Sequence, residues 1–338
     1  MSLNRQLSPA HSGDTQDASF PTFDLDVAPG GYAWWYLDAL SDDGNHGLTL
    51  IAFLGSVFSP YYAWARRRNK PEPLNHCAVN IALYGRGGKR WALTERGRSA
   101  VRRTPESLVI GPSGLNWDGH QLIIDFDEVT VPLPGRLRGQ IRLQPSTRVS
   151  QQFTLDANGR HVWWPVAPAA RVEVALDAPN LSWCGEAYLD HNKGTEPLEA
   201  SFLGWDWSRA AEPDGTRILY DLRRRDGSNP CLALQIEESG QVHTLPEPAL
   251  TALPSTGWRV KRWTRIEPGQ AFQRIETLED TPFYARSLLT TSRHGKTQIS
   301  VHESLSMERF QSPLVQAMLP FRMPRRAHWP RSDGKVQS

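Results

Sequence analysis

Apolar and polar residues alternate with a period of two along much of the chain, and turn residues separate the alternating runs. Tyr32 to Leu40 and Leu48 to Val57 are two predominantly apolar runs, and Ser41-Asp42-Asp43-Gly44 lies between them. The pattern is typical of a β-hairpin, because alternate side chains of a strand point to opposite faces and Asp-Gly favours a tight turn. We therefore predict two antiparallel strands here.

A second hairpin and several further strands are predicted downstream. Cys77 to Tyr84 and Trp91 to Glu95 flank the turn Gly85-Arg86-Gly87-Gly88. No stretch before residue 150 has a helical period over more than three turns, so the fold is predicted to be mainly β. The remaining strands of this half are expected at Ser107 to Ile110, Leu122 to Val131 and Gln140 to Leu143.

The pattern of the first hairpin recurs in the second half of the chain. Trp34-Trp35 precede Asp43-Gly44, and Trp205-Asp206-Trp207 precede Asp214-Gly215 at a similar distance. Two copies of one antiparallel module would explain this echo and the length of 338 residues, because domains average roughly 150 residues. The predicted division is a disordered arm (1–20), an N-terminal β domain (21–176), a C-terminal β domain (177–323) and a basic tail (324–338).

Composition and charge narrow the classes of function. The chain has 38 Lys and Arg against 36 Asp and Glu, so its charge is too nearly balanced for a generic nucleic-acid binder. Its 13 tryptophans suit a large apolar ligand as well as a core. The aromatic-rich stretches Tyr32 to Tyr36 and Phe58 to Trp64 could line a ligand cleft or sit at a bilayer surface.

Location is predicted from segments that would direct or anchor the chain. The first 21 residues are polar and lack the apolar segment of a secretory signal. The longest nearly apolar run, Leu48 to Phe58, is too short to span a bilayer. The 3 cysteines are widely spaced, which favours a reducing compartment. We predict a cytoplasmic protein that is soluble or attached peripherally to a membrane.

Four residues with suitable chemistry are spaced so that they could line one cavity. His161-Val162-Trp163 and Tyr188-Leu189-Asp190 each place two functional side chains at i and i+2. If both segments are strands, each pair points to one face of its strand. The alternative, which spacing alone favours, is that the aromatic residues belong to the core and His161 and Asp190 to the surface.

Other polar residues are weaker candidates. His161, Asp190 and His191 have no metal-site spacing, so no metal is predicted. Asp206 is predicted to face solvent from its strand. The arginine runs 66–68 and 223–225 are predicted to be solvated, or to contact acidic lipid headgroups.

Four long motifs resemble bacterial carotenoid 1,2-hydratase, also called hydroxyneurosporene synthase. The resemblance covers roughly residues 20 to 325, and it implies paired lipocalin-like antiparallel β-barrel or sandwich domains, as in AttH-type proteins and fungal polyene cyclases. The motifs are Ala33 to Arg68 (AWWYLDALSDDGNHGLTLIAFLGSVFSPYYAWARRR), Asn75 to Arg98, His161 to Leu176 (HVWWPVAPAARVEVAL) and Tyr188 to Ala210 (YLDHNKGTEPLEASFLGWDWSRA).

The resemblance also implies an activity. Such enzymes add water to the terminal C1–C2 double bond of acyclic carotenoids such as neurosporene and lycopene, without a cofactor. The expected partners are therefore an acyclic carotenoid, water and a membrane surface, with no nucleic acid.

The family's His-x-Trp and Tyr-x-Asp pairs match His161, Trp163, Tyr188 and Asp190. We expect Asp190 to donate the proton and Trp163 to stabilise the resulting carbocation. His161 is expected to take a proton from water, and Tyr188 to hydrogen-bond the acid or orient the water.

Two other functions stay open at this point. The chain could be a non-catalytic carrier of a polyene or lipid, although the presence of Asp190 and His161 favours an enzyme. It could also be a related enzyme, such as a cyclase, that protonates a different isoprenoid or polyketide. A shared fold cannot separate these reactions, because function depends on the site.

Overall fold

The computed structural model describes residues 20–293 and 296–326. The predicted disordered arm lies outside these residues except for Phe20, and the predicted basic tail except for residues 324–326. The chain is mainly β, as predicted. Among the described residues, none of the helices combines the length and the apolar character that crossing a bilayer requires.

Most strands belong to two antiparallel sheets. The first sheet contains β1 (Tyr32–Ser41), β2 (His46–Leu54), β3 (Cys77–Gly85), β4 (Arg90–Arg96), β5 (Val101–Arg103), β6 (Ser107–Ile110), β7 (Ser113–Trp117), β8 (Leu122–Val129), β9 (Arg136–Thr147), β10 (Phe153–Thr154), β11 (His161–Ala178), β12 (Leu181–Gly194) and β22 (Arg325–Arg326), which pairs in parallel with β4. The second sheet contains β13 (Phe202–Glu212), β14 (Gly215–Arg224), β15 (Cys231–Glu237), β16 (Val242–Thr244), β19 (Ala271–Asp280), β20 (Tyr284–Arg293) and β21 (Lys296–Ser306).

Shorter elements connect or flank these sheets. They are the small sheet of β17 (Ala249–Leu253) and β18 (Arg262–Ile266), the helices α1 (Pro60–Arg67), α2 (Leu198–Ser201), α3 (Met307–Phe310) and α4 (Pro313–Arg322), and the 3-10 turns Pro73–Asn75 and Arg98–Ala100.

The predicted strands of the first half are confirmed, including both hairpins. The first sheet runs in the order β22-β4-β3-β2-β1-β12-β11-β9-β8-β7-β6-β5. It curls until β4 meets the end of β8 through a bridge between Ala92 and Thr130. Its inner face encloses an apolar core in which Trp35 and Leu37 are buried together with Ile124 and Leu143.

The second sheet begins as the first one does. β13 forms a hairpin with β14 and pairs with the long strand β21, just as β1 pairs with β2 and with β12. The chain passes from the first sheet to the second between Gly194 and Phe202, because β12 still pairs with β1 and β11. The division of the chain into domains at residues 176 and 177 stays a prediction.

The two faces of β1 belong to different cores. Trp35 and Leu37 pack inside the first sheet, whereas Trp34 and Tyr36 pack in a second apolar cluster together with Trp205 of the second sheet. This is why nearly every residue of β1 is buried and its sequence carries little polar alternation. The space between the two sheets holds the candidate site.

The expectation that Asp206 faces solvent was wrong. Its carboxylate is 2% exposed, accepts a hydrogen bond from the backbone N–H of Trp263 at 3.2 Å and pairs with Arg223. The arginine run 223–225 is not fully solvated either, because Arg224 is buried and donates a hydrogen bond to the carbonyl oxygen of Leu155 at 2.8 Å. The β17–β18 sheet covers this part of β13. The face of β13 that the alternation pattern predicts to be exposed is therefore buried.

Candidate active site

A cavity of about 240 Å³ lies between the two sheets. Both sheets supply side chains that are two residues apart on one strand, as expected for a single strand face. Trp34 and Tyr36 of β1 and Asp190 and Asn192 of β12 line it from the first sheet, and Trp205 and Trp207 of β13 line it from the second.

The lining of the cavity is rich in aromatic side chains. Trp163 and Tyr220 meet edge to face, with ring centroids 5.5 Å apart, and both are buried. The lining residues Trp258, Met318 and Arg322 reach the surface, so the mouth of the cavity lies there. Of the two aromatic stretches singled out in the sequence, Trp34, Tyr36 and Phe58 line the cavity, whereas Trp64 is exposed.

Asp190 is held by three neutral donors. Its Oδ2 accepts hydrogen bonds from the Trp163 indole N–H at 3.0 Å and from the Tyr188 hydroxyl at 3.1 Å. Its Oδ1 accepts a hydrogen bond from the Asn192 amide at 2.9 Å. The carboxyl group is therefore fixed in direction, and no cationic side chain in the described part of the chain contacts it.

Burial raises the pKa of Asp190 well above its usual range, because desolvation penalises the charged form. The hydrogen bonds from Trp163 and Tyr188 act in the opposite direction but do not offset burial. Burial also raises the pKa of Tyr188, so its phenol stays protonated and can donate. The arrangement favours a neutral carboxylic acid facing an apolar space, which is suited to giving up a proton.

Strand register brings these side chains together. Trp163 of β11 lies opposite Asn192 of β12, and the register then shifts between Trp164 and Ala167. Pro165 lies within this bulge, where a residue without a backbone N–H is tolerated. Tyr188, Asp190 and Asn192 alternate along β12 and so share one face.

His161 takes a different position from the other predicted residues. It is fully buried, its Nδ1 is 2.8 Å from the Tyr32 hydroxyl, and its Nε2 is 3.4 Å from a carboxylate oxygen of Glu196. Burial lowers the pKa of His161. The imidazole ring does not line the cavity. In the β11–β12 ladder His161 lies opposite Gly194, four residues beyond Asp190.

The structure thus brings together Trp163, Tyr188 and Asp190 and places His161 beyond Trp163 on the same strand. Both His161 and Asp190 are buried, so the alternative that they are surface residues is wrong. Asn192 was missed, although extending the alternation of Tyr188-x-Asp190 by two residues would have found it.

A second polar group lines the cavity on the side of the second sheet. Glu303 of β21 accepts a hydrogen bond from the Tyr36 hydroxyl at 2.6 Å and pairs with Arg286 of β20. No motif in the sequence indicated these residues. Within residues 20–293 and 296–326, no group of three or more His, Cys, Asp or Glu side chains is arranged to hold a metal ion.

Fold and site together define a mainly β protein that encloses an aromatic-rich cavity, and this cavity is lined by a buried carboxyl group whose pKa is raised. The family model described as carotenoid hydratase CrtC matches residues 50–332. The chain belongs to this carotenoid hydratase family, and the resemblance seen in the sequence is confirmed.

Curated relatives agree with this assignment. The chain is 60% identical over 314 residues to the acyclic carotenoid 1,2-hydratase of Thiocapsa roseopersicina, covering 93% of this chain and 78% of that protein. It is 50% identical over 310 residues to the enzyme of the same name from Rubrivivax gelatinosus, covering 91% and 76%. The corresponding Cereibacter sphaeroides enzyme is 41% identical over 281 residues, covering 83% and 99%. The chain is thus an enzyme of the hydratase type.

Solved structures show the same fold at low sequence identity. A protein described as AttH from Nitrosomonas europaea superposes with a TM-score of 0.58 at 16% identity, covering 89% of this chain and 99% of that one. Kievitone hydratase from Nectria haematococca superposes with a TM-score of 0.50 at 10% identity, covering 82% and 89%. These likenesses support the lipocalin-like β architecture.

Proposed function

We propose that this hydratase adds water across the terminal C1–C2 double bond of acyclic carotenoids such as neurosporene and lycopene, giving 1-hydroxy carotenoids. The observation that supports the proposal is the buried carboxyl group of Asp190, which lines an aromatic-rich cavity and whose pKa is raised by burial. The names of the relatives from Thiocapsa and Rubrivivax support the substrate class.

The first step is transfer of a proton from Asp190 to C2. The π electrons form the new C2–H bond and leave a tertiary carbocation at C1. Oδ2 of Asp190 already accepts two hydrogen bonds and Oδ1 accepts one, so we assign the acid proton to Oδ1. Trp163 and Tyr188 then stabilise the carboxylate that forms when the proton leaves.

The carbocation is stabilised by the aromatic wall. A desolvated cation–π contact contributes about 2 kcal/mol or more, and Trp163 lines the cavity beside the acid. Water attacks C1, the C–O bond forms and one proton is released. Only the alkene and water are consumed, so the reaction as proposed needs no cofactor.

His161 stays a predicted base for this released proton. Because its ring does not line the cavity, this role requires a proton relay from the cavity to the ring. His161→Gln activity equal to that of the wild type would remove His161 from the mechanism.

The cavity fits one end of a long substrate. Its volume of about 240 Å³ is below the roughly 300–1,000 Å³ of sites that enclose a drug-sized ligand. A carotenoid of about 40 carbons would therefore insert its reacting end group and leave the remainder outside the mouth.

We propose that the protein works in the cytoplasm, attached peripherally to the membrane that holds this substrate. The α4 residues Val315, Met318 and Leu319 line the cavity, whereas Leu314 and Phe321 of the same helix are 72% and 81% exposed. Exposed apolar residues beside the mouth would enter the headgroup region, and nearby arginines would attract acidic lipids. A substrate end could then pass from the bilayer into the cavity.

The reaction is tested by incubating purified protein with detergent-dispersed lycopene and neurosporene in H₂¹⁸O and analysing the products by mass spectrometry. We expect one ¹⁸O per reacted end, located in a tertiary alcohol. Tight binding without a labelled product would favour the carrier function, and an isomer of unchanged mass would favour a cyclase.

A further inference from the structure

We propose that Glu303 is the base that takes the proton from the attacking water. The role rests on the proposed hydration by Asp190, because that reaction releases one proton at C1. Glu303 belongs to the second sheet, whereas Asp190 belongs to the first, and both line the same cavity. A substrate end held between the sheets would therefore have a carboxyl group on each side.

The two oxygens of Glu303 have different surroundings. Oε1 accepts a hydrogen bond from the Tyr36 hydroxyl at 2.6 Å and forms an ion pair with the Arg286 guanidinium. Oε2 accepts no hydrogen bond from the described part of the chain. The side chain is 12% exposed and lines the cavity, so we assign Oε2 as the oxygen that receives a hydrogen bond from water.

The two carboxyl groups have partners of different charge. Among the described residues, the side chains that donate to Asp190 are all neutral, and burial favours its acid form. Glu303 instead forms an ion pair with the buried guanidinium of Arg286. A carboxyl group held by neutral donors and a carboxyl group paired with a cation are suited to act as acid and base.

Glu303 takes up the proton that water releases when it adds to C1. A lone pair of water forms the C1–O bond, and the water O–H bond breaks with its proton passing to Glu303 Oε2. Glu303 becomes a carboxylic acid, and Asp190 is already a carboxylate because it gave its proton to C2. Transfer of one proton from Glu303 to Asp190 through solvent restores both groups, so the net change is the addition of one water.

The test separates protonation from water addition by running the reaction in D₂O. If Glu303 is the base, Glu303→Gln should slow hydration by about 100-fold or more, in line with the contribution of a general base. Protonation by Asp190 should continue, and the carbocation should return to the alkene by losing a proton from C2. We therefore expect deuterium at C2 of recovered substrate with Glu303→Gln and none with Asp190→Asn.

Two variants control for charge removal and for folding. Glu212 of β13 also pairs with an arginine, Arg217, but lines a separate small pocket, so Glu212→Gln should hydrate at the wild-type rate. Glu303→Asp keeps the charge beside Arg286 and withdraws the carboxylate by one methylene. It should also exchange deuterium faster than it hydrates, which provides the test if Glu303→Gln does not fold.

Three results would overturn the assignment of Glu303. These are wild-type hydration by Glu303→Gln, loss of both hydration and exchange in a folded Glu303→Gln protein, or exchange without hydration in His161→Gln, which would make His161 the base. Deuterium exchange by Asp190→Asn would instead contradict the proton donor in the proposed function, whatever Glu303 does.

Discussion

At the scale of single residues, the reactivity of Asp190 depends on its neighbours more than on its residue type. Asp190 and Asp38 are both buried carboxyl groups, yet Asp38 contacts the Arg209 guanidinium while Asp190 contacts an indole, a phenol and an amide. Burial raises the pKa of Asp190, which contacts no cation among the described residues. The donors on Asp190 thus set how strong an acid it is.

Tyr188→Phe should move the pH dependence of hydration in a defined direction. The Tyr188 hydrogen bond favours ionised Asp190, so its loss raises the pKa of Asp190 further. Hydration needs the protonated acid and is lost as the pH rises through this pKa, so the alkaline limb of the pH–rate profile should shift to higher pH. The maximal rate should fall about 10- to 150-fold, because a hydrogen bond to a charged group contributes roughly 1.5–3 kcal/mol.

The measurement is kcat for wild type and Tyr188→Phe across the alkaline pH range with detergent-dispersed substrate. An alkaline limb that stays in place or moves to lower pH would contradict the assignment of Tyr188 as a donor to the ionised acid.

At the scale of secondary-structure elements, local patterns were enough to predict the hairpins. β1 to β4 were predicted because strand-forming apolar runs and turn residues are adjacent in sequence. Asp206 was predicted wrongly because its burial depends on β18, which begins more than fifty residues later. Alternation gives the two faces of a strand but does not show which face another element covers.

Helix α4 supplies a prediction at this scale. Ser312 caps it, Val315 and Leu319 are buried, and Leu314 and Phe321 are exposed. A Leu314→Glu/Phe321→Glu double variant should bind vesicles containing acidic lipids at least about tenfold more weakly, because a buried Leu or Phe contributes roughly 1.5–3 kcal/mol. Vesicle co-sedimentation measures this change.

Hydration of detergent-dispersed substrate should be unchanged in this double variant, because neither residue lines the cavity. Leu250→Glu is the matched control, since Leu250 is exposed on β17 and is not part of the cavity wall. Equal vesicle binding by all three proteins would contradict membrane attachment through α4.

At the scale of the whole molecule, the site exists because two sheets face each other. Asp38 of β1 and Arg209 of β13 form a buried ion pair between them, with Arg209 Nε 2.8 Å from Asp38 Oδ1. Removing one member of a buried pair leaves an uncompensated charge and typically costs about 3–5 kcal/mol. We therefore expect this ion pair to hold the two sheets together.

Arg209→Met should therefore lower the free energy of unfolding by about 3–5 kcal/mol, as measured by urea denaturation. Arg171→Met breaks the exposed pair with Asp42 and should leave the denaturation midpoint unchanged within error. A midpoint for Arg209→Met equal to that of the wild type would show that this pair does not join the sheets.

The packing of the two sheets also explains which site residues could be predicted from the sequence. Trp163, Tyr188 and Asp190 meet because they lie on neighbouring strands with alternating patterns, which the sequence contains. The position of His161 beyond Trp163 depends on where the cavity ends, and the position of Glu303 depends on how the second sheet packs on the first. Neither position can be predicted from the spacing of nearby residues. Glu303, for example, is more than a hundred residues from Asp190 in the sequence.

The role of Asp190 as proton donor is tested most simply by the hydration rate of Asp190→Asn, measured as ¹⁸O incorporation from labelled water. Asparagine keeps the shape of the side chain but cannot supply the acid proton. We predict a rate at least about 100-fold below wild type, with an unchanged circular dichroism spectrum and an unchanged melting temperature. Hydration by a folded Asp190→Asn protein at the wild-type rate would contradict Asp190 as the proton donor.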